Sequence, residues 1–105
     1  MGRYIFAVHS NPVAGREDEY NEWYSGRHLD DLLAIPGVIS ARRFMLAEKQ
    51  TLPVAHAYRY LALYEVETDD PQSFIDELTT RVDTDRMPRS TALSRDLSAV
   101  LWKAL

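Results

Sequence analysis

The apolar positions of this chain keep a period of two in some stretches and of three to four in others, and the changes of period mark out its elements. Arg3 to Ser10 is short and rich in β-formers, which predicts a strand closed by the turn-forming pair Asn11-Pro12. From about Gly15 the acidic residues Glu17, Asp18 and Glu19 suit a first helical turn, where the positive end of the helix dipole favours them. This helix carries Tyr20, Trp23 and Tyr24 on one side. Beyond Gly26 the apolar positions are Leu29, Leu32, Leu33 and Ile35. On an uninterrupted helix, at about 100° per residue, these point well away from the tyrosines. A bend or a break between Gly26 and Asp30 is therefore expected, returning both groups to one core and leaving His28 at the joint.

Pro36-Gly37 stops the helix and opens a strand from about Val38 to Leu46, and Glu48 to His56 is a polar loop containing Pro53. Ala57 to Glu67 has the strongest strand pattern, with Tyr58, Tyr60, Tyr64 and Val66 on one parity and Leu61 and Leu63 on the other. Asp69-Asp70-Pro71 supplies an N-cap and a first-turn proline, and Phe74, Ile75, Leu78 and Val82 then recur at helical spacing. Asp83 to Arg95 is polar, contains Met87-Pro88 and has no period, which predicts a loop. Leu97 to Leu105 is a last strand.

The order βαββαβ predicts an α+β ferredoxin-like domain, residues 1–105, with a four-stranded antiparallel sheet and both helices on one face. Yet the third strand is apolar or aromatic on both parities. The last strand sets Leu97, Ala99 and Leu101 against Val100 and Trp102. Strands of this kind are buried on both faces, and two helices cover only one. A second copy of the same sheet is the simplest cover, which predicts a homodimer joined through its sheet faces.

Composition narrows the function. A length of 105 residues fits one domain, and 46% apolar residues supply a core for it. The net charge of -4 argues against nucleic acid as a partner, as does the lack of a basic, glycine-bearing signature on the tyrosine-rich third strand. No cysteine is present, which removes disulfides, thiolate catalysis and sulfur-ligated metals. No apolar run approaches the ~20 residues of a membrane span, and the N-terminus lacks a signal-peptide layout, so no membrane partner and a cytoplasmic location are expected.

Tyr20-x-x-Trp23-Tyr24-x-x-x-His28, leading into Leu33-Ala34-Ile35-Pro36-Gly37, together with Tyr64 in the third strand, resembles the EthD-like group of the dimeric α/β-barrel superfamily. EthD-like proteins typically carry a Tyr-Trp pair with the tryptophan four residues before the histidine; here the pair is Trp23-Tyr24, so Tyr24 takes that place. The resemblance implies a dimeric α/β barrel formed by two sheets face to face. Cofactor-free monooxygenases, polyketide cyclases and isomerases share that superfamily with haem-handling enzymes and proteins of no known activity, so the fold alone does not choose a reaction.

The residues suggest an aromatic-walled pocket with one titratable group. Tyr20, Tyr24 and His28 are four apart and share a helix face. Imidazole titrates near neutral pH and both gives and takes protons, which makes His28 a candidate general acid or base, while bracing the bend, with Asp31 fixing its tautomer, is its structural alternative. Tyr24 and Tyr64 are candidate donors to a developing oxyanion, and Tyr20 and Trp23 candidate walls, though all suit plain packing equally well. His9 and Asn11 are candidate contacts at the pocket rim; a strand-end histidine near solvent and an Asn-Pro turn explain them as readily.

A metal site on His9, His28 and a carboxylate has poor support, because no His-x-x-x-His pair exists. Arg42 and Arg43 point to opposite faces of a strand and cannot form one clamp. The loop arginines Arg86, Arg89 and Arg95 offer a carboxylate or phosphate clamp, with solvated charge as the plainer role. The expectation is a small enzyme, without metal or cofactor, acting by acid–base chemistry on a hydrophobic, aromatic or polyketide-like molecule, as an isomerase, cyclase, lyase or monooxygenase. Its alternative is a non-catalytic EthD-like protein that binds such a metabolite.

Overall fold

Alternation with period two becomes two distinct sheet faces. In the computed structural model, which describes residues 2–105, β1 (Gly2–Ser10), β2 (Val38–Met45), β3 (Tyr60–Thr68) and β4 (Ser98–Lys103) form one sheet in the order β2-β3-β1-β4, with every neighbouring pair antiparallel. The register places Ala41, Tyr64, Phe6 and Leu101 in one row across all four strands. That row faces the helices and, with Ala62 and Val66, forms the floor of the core.

Above it lie α1 (Glu17–Trp23), a π-helical turn (Tyr24–His28) and α2 (Leu29–Leu33) as one continuous path, and separately α3 (Pro71–Arg81). Asp70 caps α3, its Oδ1 accepting from the Gln72 N–H at 3.1 Å, and Pro71 occupies the first turn. The helical segment ends at Gly37, whose φ is +95°. A Cβ there would come within 2.9 Å of the Glu67 carbonyl oxygen, while the Glu67 N–H bonds to the Gly37 carbonyl at 2.8 Å. Only glycine fits both the dihedral and the approach.

The expected joint in the first helix takes the form of a wider turn, without a break, and it begins at Tyr24. The Leu29 N–H bonds to the Tyr24 carbonyl, five residues back. One extra residue in the ladder removes about 100° of rotation, so Leu32 comes within about 20° of Tyr20 instead of about 120° away. Leu32, Tyr20 and Tyr24 are accordingly all buried, whereas Leu33 is exposed. Gly26 does not force this turn, since a Cβ there would meet nothing. The cause is the requirement that both apolar groups reach one core.

One segment differs from the sequence expectation, and a second adds to it. β3 begins at Tyr60, because Ala57–Arg59 is held outside the sheet by Asn11. The polar segment 83–95 is a loop that reaches into the core at two points, Met87 and Ala92, both fully buried. The opposite sheet face has no helix over it. It carries Ile5, Ala7, Leu61 and Leu63 beside Phe44, Val100 and Trp102, the last three 38%, 43% and 60% exposed.

Candidate functional site

The π turn that restores the leucines to the core leaves His28 on the tyrosine face, next to Tyr24. The Tyr20 and Tyr24 rings meet edge-on at 5.4 Å, and Tyr24 meets the imidazole edge-on at 5.1 Å. Trp23 stacks on the imidazole at 4.5 Å and lies 5.0 Å from the Tyr24 ring, so the three rings pack in one mutual cluster. The helix thus ends its aromatic ladder in a histidine packed against two rings that also touch each other.

Beneath this ladder is a cavity of about 110 Å³. The sheet contributes Phe6, Val8, Tyr64 and Ala99, and the first helical path contributes Tyr24, His28 and Leu32. Leu78 of α3, with Val82, Met87, Arg89, Leu93 and Leu97 from the segment that follows, closes the remaining side. The walls are almost wholly apolar, and within them two buried polar atoms lack a hydrogen-bond partner: His28 Nδ1 and Tyr64 Oη. Such orphaned groups cost about 1–3 kcal/mol each and call for an explanation.

Their environment sets their protonation. Burial, reinforced by the nearby Arg89 guanidinium, lowers the His28 pKa to about 4, so the imidazole is neutral at pH 7. Burial pushes the Tyr24 phenol up to about 12. Burial raises Tyr64 further, the neighbouring Tyr24 phenol acting in the same direction. Both tyrosines are therefore protonated donors, and His28 is the group able to accept a proton.

The other sequence candidates fall elsewhere. Tyr20 is fully buried outside the cavity, its Oη 2.6 Å from Ser10 Oγ, where it braces α1 against β1. Trp23 does not line the cavity either; it supports His28, and its Nε1–H donates to the Pro88 carbonyl at 3.1 Å. His9 and Asn11 are not brought to the site. His9 lies on the uncovered sheet face beside Tyr58, as its opposite parity to Phe6 and Val8 requires. Asn11 holds the backbone of Ala57 and Arg59 at 2.8 Å each. Asp31 accepts from Arg27 at 3.1 Å and does not fix the His28 tautomer.

Two arginines join the site: Arg43, which sequence reasoning dismissed as half of a clamp, and Arg89, which it offered only as part of a loop clamp with no link to His28. Arg43 on β2 lies over the Tyr24 ring at 4.5 Å and within 5.5 Å of the Tyr20 and Tyr60 rings, donating to Ser25 and Asn21. A strand arginine of helix-facing parity beside a tyrosine stripe was the available signal. Arg89 lines the cavity and is tied to Asp83 by two hydrogen bonds, at 2.8 and 2.6 Å. No period marked it. Among the described residues, no group of three or more histidine and carboxylate side chains is placed to hold a metal ion, and no helix is long and apolar enough to cross a membrane.

No family model matches this sequence, and no curated protein matches it. Solved structures do share its fold. A DABB family protein with a ferredoxin-like fold from Mesorhizobium loti is similar with a TM-score of 0.67 at 14% identity, over 100% of this chain and 99% of that one. An ethyl tert-butyl ether D (EthD) family protein from Bacillus halodurans gives 0.62 at 15% identity, over 100% of both chains. A dimeric ferredoxin-like protein of unknown function from Thermobifida fusca gives 0.55 at 12% identity, over 98% of this chain and 92% of that one. The resemblance to EthD-like proteins therefore holds at the level of the ferredoxin-like fold.

Proposed function

We propose that this chain is a small enzyme that works without metal or organic cofactor, moving a proton on a small hydrophobic, carbonyl- or phenol-bearing molecule bound beside His28. The observation that carries this reading is the pair of unpartnered polar atoms, an imidazole nitrogen and a phenol oxygen, on side chains that line a single apolar cavity. A ligand oxygen and an acidic proton supply what they lack. His28 Nδ1, neutral at pH 7, accepts the proton; the Tyr64 hydroxyl, held protonated, donates to the oxygen on which charge develops. Tyr24 assists as a second donor, and Arg43 positions it from the outer side of its ring. A base of pKa about 4 is weak, so the substrate proton must itself be acidic, as in an enolisable dicarbonyl or a phenol. Isomerisation, cyclisation, elimination and oxygen-dependent oxidation of a phenolate all begin with such a step.

The working unit in this reading is a homodimer joined through the uncovered sheet faces. Trp102, Val100 and Phe44 on that face make an apolar patch that a solitary domain seldom leaves in water. An interface of this kind buries on the order of 2,000 Å².

The same weak basicity favours one alternative, a protein that binds the metabolite and does no chemistry. Screening small phenols and cyclic dicarbonyls for thermal stabilisation tests both readings, because a ligand specific for the folded state raises Tm. For an enzyme, His28→Phe lowers turnover of a stabilising compound by about 10²–10⁴-fold with binding retained. For a binding protein, no stabilising compound is converted. Failure of every such compound to bind defeats both.

A further inference from the structure

The cavity beside His28 is not a whole site. At about 110 Å³ it is smaller than the roughly 150 Å³ cavity that holds one benzene ring, and far below the roughly 300–1,000 Å³ usual for ligand pockets. A molecule seated there must continue beyond it. Arg89, Leu93 and Leu97 line the cavity, and the same three residues line a second, outer recess of about 490 Å³. The two spaces share a wall.

The outer recess differs in chemistry. It is lined by Ser90, Thr91, Ser94 and Arg95, together with Arg89 and Asp83. Two guanidiniums thus face one carboxylate, a surplus of one positive charge. Asp83 occupies one side of Arg89 through their double hydrogen bond. It does so at a φ of +65°, the only such conformation among the described non-glycine residues, and strain of this sort gathers at functional sites. A guanidinium has five N–H donors, so Arg89 keeps donors beyond those used on Asp83.

We propose that the ligand of this site is a small amphiphilic acid, its ring or short apolar body beside His28 and Tyr64 and its carboxylate in the outer recess on Arg89 and Arg95. The inference rests on the reading of the His28 cavity as a ligand site. Arg89 stands at the junction and faces both compartments, so one side chain fixes the head group and sets how deep the body reaches. The Thr91 and Ser94 hydroxyls supply further donors to the anion, whereas Ser90 already donates to Glu19.

The test compares 4-hydroxybenzoate, 4-hydroxybenzamide and phenol by thermal shift and calorimetry on the full chain. The expected result is that the acid binds at least tenfold more tightly than the amide, that Arg89→Gln removes this preference, and that Asp83→Asn, which releases Arg89 and tolerates the positive φ, preserves or increases it. Arg95→Gln lowers acid affinity without touching the inner cavity and serves should Arg89→Gln fold poorly. Equal binding of acid and amide, or a preference unchanged in both arginine variants, overturns the acid inference and leaves the His28 cavity intact as a site. Binding of none of the three overturns that cavity reading and this inference with it.

Discussion

Replacing His28 with phenylalanine should remove a source of acid instability, and the size of the effect follows from the site. The free histidine titrates near 6.5 and the folded one near 4, through burial and the Arg89 charge. Between those values the unfolded chain binds a proton that the folded chain refuses, so stability rises with pH across the window. The contribution is fully present above pH 6.5, is lost as pH falls toward 4, and changes no further below. At about 1.4 kcal/mol per pH unit of displacement the limit is about 3.5 kcal/mol. The residue is not wholly buried, so a charged ring gains some relief from water, and about 2 kcal/mol is the working figure. For a domain of this size that corresponds to about 10 °C in Tm. Tm is measured by circular dichroism from pH 7 to 4.5, at fixed protein concentration and ionic strength, for wild type and His28→Phe. The variant keeps a ring packed on Trp23 and Tyr24, and exposed carboxylates such as Asp83 titrate in both proteins, so the difference between the curves isolates His28. The wild type should lose about 10 °C more than the variant. Parallel curves, or a His28 ring resonance that titrates near 6.5, would refute the argument.

Tyr64→Phe removes a buried hydroxyl that has no partner and should raise stability by about 1 kcal/mol in denaturant titration while weakening binding of any phenol or enol ligand; a destabilised variant would mean the hydroxyl is satisfied. Gly37→Ala should cost about 2 kcal/mol or more, from the +95° φ and the Glu67 carbonyl oxygen 2.9 Å from the new methyl. Trp102→Glu on the uncovered face should shift sedimentation from dimer to monomer, and a wild-type chain already monomeric at micromolar concentration would sink the dimer reading.

Much of the architecture was legible in the residue pattern because local period reports which side of its own element a residue occupies. Parity within β3 set Tyr64 and Val66 apart from Leu61 and Leu63, and parity within β1 set His9 apart from Phe6 and Val8, as the sheet bears out. Asp70-Pro71 marked a helix start and Pro36-Gly37 a stop, through capping and backbone geometry that act within a few residues. The clash of phase between Tyr20 and Leu32 announced an interruption near His28. Its form was not legible: a bend, a break and one extra residue in the hydrogen-bond ladder all satisfy the same pattern, and packing against the sheet selects the π turn.

Tertiary structure alone decided what stands opposite each face. A segment without period carries no sign of its partners, so 83–95 read only as a loop, with no hint that it folds Met87 into the core and Arg89 against the His28 cavity. An arginine is polar in any one-letter pattern, yet its planar head lies as readily on tyrosine rings as in water, and only the β2 register put Arg43 over Tyr24. The loss of any partner for His28 Nδ1 and Tyr64 Oη is likewise a property of the assembled layers, because burial joins groups 36 residues apart in sequence whose neighbours along the chain say nothing of one another.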